Sequence, residues 1–373
     1  MLEITNFRDG AVLNHYDGQE TAAGLEIEVQ GIASSQAEVA VNGRPAEKCD
    51  RLFRGKVLLD KPLNQVTVTA DDAFGVRTQT ITLAYDKASC KRYNFFMDDC
   101  SFFLMHLAKK RPKSLFDEHL LGGLRRIHDA YGSKFTLNLF YHDDHHDFCI
   151  RDMPDAYRGE FADNADWLRL SFHAKSEFPD RPYQSADAAT LAADYDLLYG
   201  EIARFAGEQS FMRPLVIHWA MTNPENLHVL KERGVNLLTG GFIGSISHIG
   251  ETHTWSVTDI GYHYEKDICE YLAKKHVFYD RRFQMYLMDN LTCCNYDDVP
   301  VLEAKFRALP QMNWDAISLM THEQYTYADY FNYIPNHLQR IECACRCATE
   351  AGYRPVYFAE HMFGNDAWGQ AAR

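Results

Sequence analysis

Apolar and polar positions alternate with period two through the first part of the chain. Leu25-Glu26-Ile27-Glu28-Val29, Ala37-Glu38-Val39-Ala40-Val41, Val66-Thr67-Val68-Thr69-Ala70 and Thr78-Gln79-Thr80-Ile81-Thr82-Leu83 each turn one apolar face to a core. Asn42-Gly43 and Asp71-Asp72-Ala73-Phe74-Gly75 supply turn chemistry between such runs. Short antiparallel strands packed as a sandwich are therefore expected from about residue 24 to 85.

After Lys87 the pattern changes. Strand-like runs at 93–97, 135–141, 167–172, 213–218, 235–239, 284–289, 316–320 and 355–359 alternate with helical stretches at about 115–131, 188–207, 223–233 and 329–351. Alternating strands and helices predict a parallel sheet, and this number of units suggests a barrel. The expected division is an all-β unit over 1–88 and an α/β unit over 89–373.

The strand runs of the second unit end in potential ligands. Phe95-Phe96-Met97-Asp98-Asp99 closes on two adjacent carboxylates, with a helical segment following from Ser101. The C-terminal strand ends of such a barrel are where its chemistry sits. Neighbouring strand residues point to opposite sides, so the two acids share a site only if the strand stops there. One carboxylate on a metal and one on the attacking water would use such a pair. Trp167–Phe172 leads to His173, and Glu177 lies four positions on; a helical turn there would put both on one face. Ala316–Met320 leads to His322.

These segments resemble the polysaccharide deacetylases, the NodB-homology domains of carbohydrate esterase family four, and the order of the motifs agrees across 93–325. The resemblance implies a distorted seven-stranded β/α barrel. It also implies Asp98 as catalytic base, Asp99 and His173 as ligands of a divalent metal, zinc by expectation, and His322 as general acid. The family's second metal histidine corresponds to Glu177. The arginine-proline motif falls at Arg213-Pro214, with Arg213 implied to pair with Asp98 and keep it ionised. Three positions depart from the family pattern: Cys100 follows the acid pair, Glu177 replaces a histidine, and Leu215 stands where an aromatic is usual. The first unit resembles the immunoglobulin-like modules attached to carbohydrate-active enzymes. With no cluster of Trp or Tyr to stack on a sugar, it reads as a spacer.

Arg181 and Tyr183, in the proline-bounded loop after His173, and His218 and Trp219, beyond Arg213, are the expected contacts to a carbohydrate. His142-Asp143-Asp144-His145-His146-Asp147 is the densest set of ligand-type residues and reads first as a solvated loop, then as a substrate loop or metal site.

Composition narrows the partners. The 373 residues are 46% hydrophobic and 13% aromatic, which suits a well-packed globular protein of two units. A formal charge of −14 disfavours nucleic acid and anionic membrane and leaves a neutral sugar open. The ten cysteines form no CxxC pair, so free thiols are expected. The N-terminus shows no signal peptide, which reads as cytoplasmic, with secretion open if the sequence is truncated. The function expected is hydrolysis of an acetyl group on a sugar. The alternatives are an inactive glycan-binding barrel and a glycoside hydrolase using Asp98 and Glu177.

Overall fold

The computed structural model describes residues 1–242 and 261–361, together with the short strands Ser247–Ile249 and His253–Trp255. The first unit consists of two five-stranded sheets. One is built on Gly24–Ala33 and Leu52–Leu59, the other on Leu63–Asp72 and Gly75–Tyr85. Every period-two run falls on a strand, and Ile27, Val29, Val39, Val57, Val66, Val68, Ile81 and Leu83 from the two sheets meet in one core. The pairing is antiparallel except where Val12–Leu13 lies parallel to Ala84–Tyr85. Asn42 and Gly43 both take positive φ, as a tight hairpin turn requires.

The second unit is a curled parallel sheet. In chain order the seven strands along its path are Arg92–Cys100, Phe135–Phe140, Leu168–Ala174, Phe211–Met212, Leu237–Gly240, Met285–Cys293 and Ala316–His322; Val277–Asp280 pairs antiparallel with the sixth of these and Arg354–Pro355 parallel with the first. Across the sheet they run fourth, third, second, first, seventh, sixth, fifth, and each of these pairs is parallel. The first and last strands in sequence are thus neighbours. The fourth and fifth are the open ends, joined by the Thr239 N–H donating to the Leu215 carbonyl at 2.6 Å. The first and second strands are buried at every position, because helices cover one side and the sheet curls over the other. Strand length decides where the sheet opens: the run expected at 213–218 is not a strand, and the fourth strand is the two residues before it, Phe211–Met212, since Pro214 has no N–H to donate.

Other elements also differ from expectation. The strand expected at 355–359 is a two-residue pairing at Arg354–Pro355 followed by a helix from Phe358 to His361, because Pro355 ends the ladder. The helix expected over 329–351 begins at His337. Helices Lys266–Lys275 and Val299–Ala308 complete the crossovers after the fifth and sixth strands.

The two units meet along a seam. Tyr279 N–H donates to the Gly10 carbonyl at 2.8 Å, and Arg8 pairs with Asp267 at 2.9 Å while lying over the Tyr271 and Phe278 rings. Where the connecting chain enters the sheet, Arg92 and Asp86 form a buried ion pair at 2.7 Å. His276, from the helix end beside the seam, is buried against Trp314 with ring centroids 4.3 Å apart, and neither ring nitrogen has a hydrogen-bond partner.

Gly10 has φ +86, and a Cβ there would lie 2.3 Å from the Tyr279 carbonyl oxygen. Gly10→Ala should therefore destabilise the protein by roughly 1–3 kcal/mol in chemical denaturation. An unchanged midpoint would show that the seam yields without cost. A second prediction concerns pH. Burial pushes the His276 imidazole down to about 3 from 6.5. Between those values the unfolded chain binds a proton that the folded chain refuses, so stability falls as pH drops below 6.5. His276→Phe should flatten that slope; an unaltered slope of stability against pH would contradict the burial argument.

Candidate metal centre

The first strand breaks its own alternation at the acid pair. Its register against the second strand shifts between Met97 and Cys100, and Asp99 sits in the left-handed region at φ +58. This bulge lets Asp98 and Asp99 both face one cavity, which an unbroken strand forbids. The turn is held from the far end of the chain. The buried Glu323 carboxylate accepts from the Ser101, Phe102 and Phe103 N–H groups at 2.6, 2.9 and 2.6 Å. Ser101, the N-cap of helix Phe102–Lys110, makes no side-chain cap of its own, so Glu323 supplies it from a loop more than two hundred residues away. Its own N–H donates to the Asp98 carbonyl at 2.9 Å. Burial pushes the Glu323 carboxyl up to about 8 against the pull of those three donors.

Asp99, His173 and His218 form a compact triangle. Asp99 Oδ1 lies 3.1 Å from His173 Nε2 and 3.4 Å from His218 Nδ1, and the two ring nitrogens are 3.1 Å apart. Protons alone satisfy this triangle badly. If both nitrogens are protonated, two N–H groups oppose each other; if one is bare, its lone pair faces the carboxylate. A cation bonded to all three at about 2.0–2.2 Å removes the conflict, and such bonds in a tetrahedral site place the donors roughly 3.3–3.6 Å apart. The outer ring nitrogens, His173 Nδ1 and His218 Nε2, are buried without partners. The residues therefore fit a divalent metal by geometry and donor type, and they are the one such group among the described residues. Burial pushes Asp99 upward, but His322, His173 and His218 together hold it well below the usual carboxylate range. Burial drives the His173 imidazole down to about 4, leaving it neutral, as a ligand must be.

His218 reaches the triangle through an unusual turn. Trp219 and Ala220 are both left-handed, at φ +64 and +46. The Ala220 carbonyl accepts from the Gly261 and Tyr262 N–H groups, and the Tyr262 hydroxyl in turn donates to Thr239 O. The turn points His218 inward and leaves Trp219 on the cavity wall beneath the Arg181 guanidinium, 4.2 Å from the ring centroid.

Around the triangle, Asp98 Oδ1 accepts from Asn138 Nδ2 at 2.7 Å and lies 3.8 Å from His173 Nδ1. Burial, with Asp99 beside it, pushes the Asp98 carboxyl well above its ordinary value, opposed by the Asn138 hydrogen bond. His322, level with Asp98 on the neighbouring strand, approaches Asp99 Oδ2 with Nε2 at 4.0 Å. Burial lowers its imidazole, against the attraction of Asp99. These groups share a cavity of about 700 Å³ whose walls include Trp219, Tyr296, Tyr325 and Tyr330.

Four expected residues are engaged by other partners. Glu177 lies on the cavity wall but is engaged by His145 Nε2 at 2.6 Å and Gln324 Nε2 at 3.0 Å. The chain after His173 leaves the strand as an irregular loop, so the residue four positions on does not return to the same face. Arg213 does not pair with Asp98. Its guanidinium donates to the Gly234 and Ala359 carbonyls, both at 3.1 Å. Tyr183 is buried, taking a hydrogen bond from the Lys175 N–H and giving one to Asp194, so it braces the loop. Arg181 stacks on Trp219 and pairs with Asp180.

The His142–Asp147 segment is a clasp. Asp144 accepts from the Glu177 and Phe178 N–H groups, His145 holds Glu177, and His146 bridges Asp143 at 3.0 Å and Asp329 at 3.3 Å. Sequence reasoning passed over Asn138 and Asn295 as site residues. Their signal is a buried amide among apolar strand ends, where asparagine is disfavoured.

No protein-family profile matches the chain, and no curated protein matches it. Among solved structures it is similar to a CE4 family pseudoenzyme from Bacillus anthracis, at 7% identity over 78% of this chain and 81% of that one, with a TM-score of 0.33. It is also similar to a putative alpha-galactosidase from Bacteroides fragilis, at 12% identity over 94% and 78% of the two chains, with a TM-score of 0.28. Likeness at this level carries no functional argument, and the reading below rests on the residues.

The triangle makes a direct prediction. After loading with zinc and desalting, elemental analysis should find close to one ion per chain in the wild type and sharply less in His218→Ala or His173→Ala, since each loses one of three protein ligands. Glu177→Gln should keep its ion. A metal-free Glu177→Gln with an unaffected His218→Ala would place the third ligand at Glu177.

Proposed function

We propose that this protein is a metal-dependent hydrolase that removes an acetyl group from an amino sugar or an acetylated polysaccharide. The observation that carries this reading is the convergence of an Asp-His-His donor triangle, a separate carboxylate and a separate imidazole in one aromatic-walled cavity. The immunoglobulin-like reading of the first unit and the distorted barrel reading of the second belong to the same proposal.

Asp99, His173 and His218 would hold the ion. Zinc suits one carboxylate and two imidazoles, and when bound it supplies Lewis-acid polarisation of an acyl carbonyl and of water. Asp98 is the general base: its carboxylate lies beside the triangle and takes the proton of the attacking water. Asn138 fixes Asp98 Oδ1, aiming its other oxygen, and favours the ionised form. His322 is the general acid. Its Nε2 faces the cavity and delivers a proton to the departing amine or alkoxide. Trp219, Tyr296 and Tyr330 offer faces on which a sugar ring can stack while water is excluded.

Acetate release from an N-acetylated oligosaccharide tests the roles. Asp98→Asn should abolish turnover and keep the ion, and His322→Ala should cost roughly 10²–10⁴-fold, the usual worth of a positioned proton donor. Retained activity in Asp98→Asn would overturn the mechanism and favour a non-catalytic binding barrel. The base must be ionised, so activity should fall on the acid side at a pH above the ordinary carboxylate range. Asn138→Ala should move that limb further upward, because the lost bond stabilised the anion. A limb that stays put would remove Asp98 from the role of base.

A further inference from the structure

We propose that Asn295 is the positioning residue that makes Nε2 of His322 the nitrogen from which a proton is transferred. The proposal rests on the reading of His322 as general acid and adds what orients it. His322 Nδ1 lies 2.9 Å from Asn295 Oδ1. The same oxygen receives the Cys293 thiol at 2.9 Å and the Thr321 hydroxyl at 3.4 Å, so three donors converge on one acceptor. An amide oxygen only accepts. Nδ1 therefore carries a hydrogen in both states of the ring, and the proton that comes and goes sits on Nε2, the nitrogen facing the cavity and Asp99. Without an acceptor at Nδ1 a neutral imidazole is free to place its hydrogen on Nε2, and the ring is free to rotate.

The support behind Asn295 is rigid. The residue is buried, in the tight turn that follows the sixth strand. Tyr296 N–H donates to the Cys293 carbonyl at 2.9 Å, and Arg340 donates to the Cys294 and Asn295 carbonyls at 3.4 and 3.3 Å. His322 arrives on the adjacent seventh strand, so two neighbouring strand ends fix donor and acceptor against each other. Burial pushes the Cys293 thiol far above its ordinary value, leaving it a hydrogen donor to the amide and not a nucleophile.

Three variants and one spectrum test this on the zinc-loaded full chain. Nitrogen-resolved NMR of the His322 ring should show the Nδ1–H tautomer in the wild type; the Nε2–H tautomer would mean that the amide presents its nitrogen and would overturn the proposal. Asn295→Leu, with no acceptor, should lower kcat roughly 10–10²-fold at unchanged KM and unchanged zinc content, within the span that a proton donor contributes. Asn295→Asp, which keeps an oxygen at Nδ1, should restore most of that loss. In a His322→Ala background Asn295→Leu should cost nothing more, because the two act as one unit. An equal loss in both backgrounds would make Asn295 merely structural and sink the proposal. If the zinc-loaded wild type releases no acetate at all, the hydrolase reading fails on its own, and the tautomer measurement still decides what Asn295 does.

Discussion

One carboxylate ties the two ends of the parallel sheet's chain together. Glu323 follows the last strand and closes on the three N–H groups that open the helix after the first strand. Without it, those N–H groups would be buried and unpaired, a cost of about 1–3 kcal/mol for each such group. Their satisfaction lets the first strand bulge after Asp98 and turn left-handed at Asp99. The place of Asp99 in the donor triangle depends on that turn. Asp99 meets His173 and His218 only because it has left the strand's alternation, while Asp98 stays within it and faces His322 across the sheet.

The cavity walls are held by a second set of polar contacts that contribute no metal ligand. Glu177, drawn to His145 and Gln324, links the loops after the third, second and seventh strands. Asp144 fastens the same loops through backbone N–H groups. The hydrogen bond to Glu177, with help from the nearby carboxylates, raises the His145 imidazole, so the clasp is favoured in its charged form. Such charge-assisted contacts are shorter and stronger than neutral ones and suit loops that lack a regular ladder. The dense histidine and aspartate segment is thus frame, and the sparser strand-end residues are the centre.

The chemistry of the site follows from what burial does to each group. Asp99, Asp98, His173 and His322 all lose solvent, yet their responses diverge. Asp99 stays anionic because three imidazoles surround it; burial pushes Asp98 toward its neutral form, and the neighbouring Asp99 carboxylate adds to that push. Arg213 does not balance Asp98; its guanidinium is spent on the Gly234 and Ala359 carbonyls. A divalent cation in the triangle would add positive charge beside Asp98 and so couple the proposed base to metal binding.

Strand periodicity, the turn at Asn42-Gly43, and the alternation of strands with helices were legible in the residue pattern, because period and turn chemistry are local properties. The acid pair, His173 and His322 were legible as strand-end residues for the same reason. His218 was read as a carbohydrate contact beyond a strand, whereas its place beside Asp99 and His173 depends on two consecutive left-handed residues pinned by Gly261 and Tyr262. Glu177 and Arg213 show the converse. Spacing suggested a helical turn for Glu177 and the family resemblance implied an ion pair for Arg213, but an irregular loop gave one other partners and Arg213 is engaged by backbone carbonyls. Sequence by itself determined most of the long strands and the acids and histidines that end them, though not the runs expected at 213–218 and 355–359. Which of those ends converge was decided by the sheet's order, with first and seventh strands adjacent, and by contacts such as Glu323 to Ser101 that lie over two hundred residues apart. The physical reason is that periodicity fixes a residue's face, whereas a ligand set needs three distances, and these exist only after the sheet has curled.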